Sequence, residues 1–125
     1  MAKILGIGGV FFKSADPKKL REWYATHLGL AISPYGFCKF QPETMPAGGC
    51  TVWNVFDSKS DYFAPSTREF MLNLVVDDVA GMLERAHAGG AQVVGEIADY
   101  DHGRFGHFVD PDGNKIELWT PKARA

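Results

Sequence analysis

The chain has no basic cluster. Its 13 Lys and Arg are outnumbered by 15 Asp and Glu, for a formal net charge of −2, and they are scattered along the sequence. Phosphate neutralisation needs clustered Lys and Arg, so no nucleic-acid partner is expected. No stretch approaches the roughly 18 consecutive apolar residues of a membrane-spanning helix, so no membrane partner is expected either. The opening residues Met1-Ala2-Lys3-Ile4-Leu5-Gly6 lack the apolar region and cleavage site of a secretory signal, which reads as a cytoplasmic protein. Only two cysteines occur, Cys38 and Cys50, without C-x-x-C spacing. In that compartment they are expected to be reduced thiols. Gly6, Gly8 and Gly9 do not complete a G-x-G-x-x-G motif, so no phosphate-cradling loop opens the first helix. Asp110-Pro111-Asp112-Gly113-Asn114 contains Asp-x-Asp-Gly, but no twelve-residue calcium loop with a terminal Glu in register follows.

What is abundant is aromatic side chain: nine Phe, four Tyr and three Trp among 125 residues. In a chain of one-domain length, large enough to bury a core unaided, this points to a thick core, an aromatic-lined pocket or an oligomer interface. Residues 4–13 are apolar and β-rich. Asp16-Pro17 then opens a helix, with Asp as N-cap and Pro at the first helical position. Leu20, Trp23, Tyr24 and Leu28 give it one apolar face, and Gly29 ends it. Strand-like runs broken by prolines and glycines follow, the clearest being residues 50–56. A polar connection over 58–67 leads to a second cycle. This has a strand over 70–76, a helix capped by Asp77-Asp78 with Val79, Met82, Leu83 and Ala86 on its apolar face, and a strand over 91–97. A closing hairpin comes last.

In that hairpin, Asp110, Pro111 and Gly113 occupy the first, second and fourth positions of a type I turn. The strand after it, Ile116-Glu117-Leu118-Trp119, carries one carboxylate among apolar residues. Glu117 faces either solvent or a polar cavity. The order strand, helix, strands thus occurs twice, and the copies align at an offset of 62 residues, Asp16 on Asp78 and Leu20 on Met82. Weak identity with consistent pattern is the mark of internal duplication.

The duplicated βαβββ pattern resembles the vicinal oxygen chelate superfamily, which includes glyoxalase I, bleomycin-resistance proteins and extradiol dioxygenases. The similarity is carried by Leu20-Arg21-Glu22-Trp23-Tyr24 with His27-Leu28-Gly29-Leu30, by Val75-Val76-Asp77-Asp78-Val79, and above all by the hairpin from Gly106 to Leu118. The resemblance implies an α+β fold of two βαβββ modules, residues 1–66 and 67–125, forming an incomplete, strongly curved mixed β-barrel as a single domain. It also implies a small-molecule cavity and a homodimer. Family members commonly hold a divalent metal on the first and last strands of each module. Carried over, those positions are Gly9, Met71, a residue within 50–56, and Glu117. Glycine has no side chain, a thioether does not suit a hard ion, and residues 50–56 contain no carboxylate or His. A catalytic ion needs about three protein ligands, so no metal and no cofactor are expected. The one rescue is convergence of His102, His107 and Glu117.

If the carried-over positions Gly9, Met71 and Glu117 face inward, as the resemblance implies, strand alternation predicts a mostly apolar cavity. It is lined by Phe11 and Lys13 from the first strand, Thr51 and Trp53 from the last strand of module one, Met71 and Asn73 from the fifth, and Glu117 with Trp119 from the last. Buried among aromatics, Glu117 is expected to have a raised pKa suited to general-base work. His107 is either a structural, hydrogen-bonded His or its catalytic neighbour. Tyr62 and Phe63, aromatic in a polar linker, cover either a cavity mouth or a partner subunit. Three functions follow. One is a metal-independent lyase or isomerase with Glu117 as base and His107, Asn73 or Lys13 holding an oxyanion. The alternative is a protein that binds and sequesters a small molecule, as bleomycin-resistance relatives do. The third is a metal enzyme with displaced ligands.

Overall fold

Both helices begin where an aspartate caps them. In the computed structural model, which describes residues 1–123, α1 spans Pro17–Leu28, and Asp16 Oδ1 accepts from Lys19 N at 3.2 Å. Helix α2 spans Val79–Ala88, and Asp78 Oδ1 accepts from Gly81 N at 3.0 Å. Each cap satisfies an N–H that the first helical turn leaves without a partner. Helix α1 ends at Gly29, whose φ of 71° is open to glycine at little cost. The apolar stripes turn inward: Leu20 and Tyr24 of α1, and Val79, Leu83 and Ala86 of α2, are buried.

Four strands follow the linker: β1 (Leu72–Val75), β2 (Gln92–Tyr100), β3 (Gly103–Val109) and β4 (Lys115–Pro121). Their order in the sheet is β1-β4-β3-β2, with β1 parallel to β4 and the other pairs antiparallel. The sheet is open, and the fold is the α+β class expected. Phe108, Ile116 and Leu118 point to the helical side and are fully buried. Gly106 belongs to the same side: a Cβ there would stand 2.8 Å from both Leu83 Cδ1 and Val79 Cγ1, so its lack of a side chain lets α2 lie close to β3.

The β3–β4 turn forms as the Asp-Pro-Asp-Gly sequence predicts, with Gly113 N donating to Asp110 O at 3.0 Å. The Asp110 side chain does much more. Its Oδ1 accepts from Asp112 N and Asn114 N, both at 2.9 Å, and its Oδ2 from Asn114 Nδ2 at 3.0 Å and Tyr24 OH at 2.8 Å. Burial first, then the Asp110 charge, push the Tyr24 phenol far above its ordinary value, so it stays a donor. The hairpin is thereby tied to α1 across the core.

The first module differs from expectation. Apart from α1 and a short 3-10 turn at Pro42–Thr44, its described residues form no helix or strand. Segments 4–13 and 50–56 run without a ladder, and Phe11, Trp53 and Val55 are 93%, 78% and 72% exposed. Apolar alternation makes a strand only where a neighbouring edge accepts its backbone. Here the four-stranded sheet ends at β1 with no further described strand beside it.

Replacing Tyr24 by Phe leaves Asp110 buried with one donor fewer. A loss of about 1–3 kcal/mol in unfolding free energy is expected, measured by urea denaturation. An unchanged midpoint and slope would show that the tie between hairpin and α1 carries no stability.

Candidate functional site

The face of the sheet turned away from the helices gathers the polar side chains of the candidate site. Pairing sets Asn73 of β1 beside Glu117 of β4, and Glu117 beside His107 of β3. Three side chains from three strands thus share one row on one face. Glu117 Oε1 accepts from Asn73 Nδ2 at 2.8 Å. Its Oε2 faces His107 Nε2 at 2.8 Å and accepts from Tyr62 OH at 2.6 Å. A carboxylate only accepts, so the His107 proton in this contact sits on Nε2. Tyr62 arrives from the linker, not the sheet. Lys115 fixes it there, its Nζ donating to the Tyr62 carbonyl at 2.6 Å and standing 5.1 Å from the centre of its ring.

The electrostatics reverse one expectation. Burial alone would raise the Glu117 pKa, but hydrogen bonds from His107, Tyr62 and Asn73 outweigh it and hold the carboxyl below its ordinary value. The side chain is only 12% exposed, yet charged and satisfied. Tyr62 moves the opposite way: burial and then the Glu117 carboxylate push its phenol up, so it is a proton donor here. Lys115 is lowered by burial, with Glu117 pulling the other way.

The next row toward the end of the sheet is aromatic. Phe105 pairs with Trp119, and their rings stack at 5.9 Å with planes 6° apart. Trp119 Nε1 donates to the His102 carbonyl at 2.9 Å. The His102 ring stacks on Tyr100 at 5.6 Å, and both meet Phe105 edge-on. This places His102 beyond the start of β3. The four residue steps from Gly103 to His107 alone span about 13 Å, so His102, His107 and Glu117 do not converge.

A metal does not fit these residues. Among the described residues, no group of three or more His, Cys, Asp and Glu could hold an ion. Glu117 and His107 direct their facing atoms at each other, and Met71 and Gly9 offer no hard donor.

The sequence-derived residues divide. Glu117, His107, Asn73 and Trp119 share one face of the sheet. Phe11, Lys13 and Met71 instead line a separate cleft of about 510 Å³ beside Arg68 and Phe70. Thr51 and Trp53 are exposed in unladdered chain, because the strand that would have turned them inward is not paired. Tyr62 completes the site although periodicity did not single it out; its signal was an aromatic residue in a polar linker. Tyr100 and Phe105 were also missed, and alternation from His107 back through Phe105 would have found the latter.

Glu117→Gln removes the acceptor from at least one donor and should cost about 1–3 kcal/mol near pH 5.5. Because the folded pKa is lowered, this stability is present above the unfolded glutamate value and is lost as pH falls through the folded one. The gap between wild type and variant in urea unfolding should therefore narrow as pH drops below about 4.3. A gap constant down to pH 3 contradicts an ionised Glu117.

Comparison with known proteins agrees with this architecture. The sequence model described as "Glyoxalase-like domain" matches residues 9–119. No curated protein matches the chain. Among solved structures, TnmS3, an antibiotic binding protein from Streptomyces sp. CB03234, is similar at 26% identity and a TM-score of 0.51, with 87% of this chain and 89% of that chain covered. The hypothetical protein SA1046 from S. aureus is similar at 22% identity and a TM-score of 0.40, over 44% of this chain and 45% of that one. The present chain thus spans less than half of SA1046. With the family match running from the N-terminal segment through both helices and into the last strand, the chain belongs to the glyoxalase-like domain family.

Proposed function

We propose that this protein binds an aromatic small molecule on the face of its sheet turned away from the helices, without a metal, and holds it rather than transforming it. The observation that carries this reading is the state of Glu117. Three of the four lone-pair positions of its carboxylate are taken by Asn73, His107 and Tyr62, and its pKa is lowered. A general base near neutrality needs the reverse: a raised pKa and an oxygen free to reach the substrate's proton. The lyase or isomerase reading therefore has little to stand on. The site sets fixed polarity beside stacked aromatics, Phe105 half-buried and Trp119 buried, a pairing of apolar lining with a few polar groups that suits a small-molecule ligand. That the similar protein TnmS3 is an antibiotic binding protein supports binding as the role.

The reading includes two further elements. The chain acts as one domain of two modules, 1–66 and 67–125, in the cytoplasm, where Cys38 and Cys50 stay free thiols as the structure has them. It also works as a homodimer. Phe11, Trp53 and Val55 stand open to water on unladdered chain, and β1 is a sheet edge. An exposed edge beside extended apolar chain is a template for pairing with a second copy. No described helix is long and apolar enough to cross a membrane, and the net charge of −2 gives nucleic acid no footprint.

The aromatic reading is tested with 4-methylanisole, a ring that donates no hydrogen bond, followed by backbone amide shifts of β3 and β4. Trp119→Ala and the milder Tyr100→Ala should each weaken binding at least fivefold, and Glu117→Gln by less than twofold. The opposite ranking, or no binding to the wild type, contradicts the reading. For the dimer, sedimentation equilibrium at tens of micromolar should return about twice the chain mass of 13.8 kDa; a single monomer mass overturns that part.

A further inference from the structure

Tyr62 is placed unlike every other member of the site. Asn73 and His107 reach Glu117 from strands, locked by the ladder. Tyr62 reaches it from a linker of turns, whose backbone hydrogen bonds near Tyr62, Ser60 N to Asp57 O and Ala64 N to Asp61 O, are local. Its residue is 42% exposed, while its hydroxyl ends on a carboxylate that is only 12% exposed. The phenol is thus a plug inserted from solvent, and the sheet surrounds it with a complete recognition set. Glu117 Oε2 accepts its O–H at 2.6 Å. His107 meets its ring edge-on at 5.7 Å and 85°. The Lys115 ammonium stands over the ring face at 5.1 Å, a cation–π arrangement.

We propose that Tyr62 is a built-in stand-in for the ligand, and that the ligand is a neutral hydroxylated aromatic whose O–H replaces the Tyr62 O–H on Glu117. This rests on the aromatic-binding reading above and names the chemical class it takes. The chemistry of the seat selects that class. An anion faces the Glu117 carboxylate and is repelled. A cation meets Lys115 on the other side. A ring with an ether in place of the hydroxyl leaves Glu117 Oε2 one donor short in a nearly buried place, which is the expensive kind of mismatch. From the seat, two residues along β4 lead to Trp119, about 7 Å away, so a larger hydroxylated ring system reaches the stacked Phe105–Trp119 pair while its hydroxyl stays on Glu117. Displacement of Tyr62 then frees the linker, which Lys115 holds by the Tyr62 carbonyl.

The test uses p-cresol, which is the tyrosine side chain without its backbone, and its methyl ether 4-methylanisole, titrated into full-length wild type, Tyr62→Ala and Tyr62→Ala/Glu117→Gln and followed by amide shifts. Tyr62→Ala should bind p-cresol at least tenfold more tightly than wild type does, and at least tenfold more tightly than it binds the ether. Adding Glu117→Gln should abolish the preference while leaving ether binding within twofold. Equal binding of p-cresol and ether by Tyr62→Ala overturns the hydroxyl-specific seat and leaves aromatic binding standing. Binding of neither probe by a folded Tyr62→Ala protein overturns both. Should that variant not fold, wild type decides: saturating p-cresol must shift the Tyr62 ring resonances and the His107 Nε2 proton, and unmoved Tyr62 signals at saturation overturn the displacement.

Discussion

The buried carboxylate of Asp110 sets the register on which the site depends. Its four donors hold the β3–β4 turn in one conformation and bind it to Tyr24 of α1. Side chains alternate with period two, so a slip of one residue in this hairpin would send His107 and Phe105 to the helical side and bring Phe108 out to solvent. Held as it is, the hairpin places His107 opposite Glu117 and Phe105 opposite Trp119. The His107–Glu117 pair and the aromatic row are therefore consequences of one turn, while Asn73 joins through the parallel β1–β4 pairing. The other side of the same register delivers Phe108, Ile116 and Leu118 to the core, so one hairpin register serves both core and site.

Within the site, hydrogen bonding decides against desolvation. Burial alone would raise the pKa of this carboxyl. Three donors from β1, β3 and the linker tip the balance to the charged form. That outcome fixes what the site is suited to. A satisfied carboxylate orients donors and rejects anions, but it is a reluctant acceptor of protons from carbon. Tyr62 and Lys115 show the complementary response: one stays a donor, and the other gives up hydration to hold the linker carbonyl.

Local chemistry made much of this legible in the sequence. Asp16 and Asp78 announced both helix starts because capping is a short-range interaction. The Asp110-to-Gly113 turn announced the hairpin, and one carboxylate in an apolar strand announced Glu117. Asn73 followed from alternation along β1. What escaped were quantities set by groups far apart in sequence. The direction of the Glu117 shift depends on Tyr62, Asn73 and His107, which no periodicity links. Tyr62 lies in a linker, where no pattern tells which way a side chain points. The strands expected at 4–13 and 50–56, and with them the inward placing of Phe11, Lys13, Thr51 and Trp53, required a partner edge. An alternating pattern states a capacity for pairing but does not supply the neighbour.

The measurement closest to the centre of this picture is a pH titration of the Glu117 carboxyl carbon by carbon-13 NMR, assigned by comparison with Glu117→Gln. An ionised, donor-saturated Glu117 titrates below the free glutamate value of about 4.3, with its chemical shift flat through neutrality. A midpoint above that value, moving toward neutrality, would mean that burial prevails over the three donors. Glu117 would then be a base in waiting, and the lyase or isomerase reading would regain its ground.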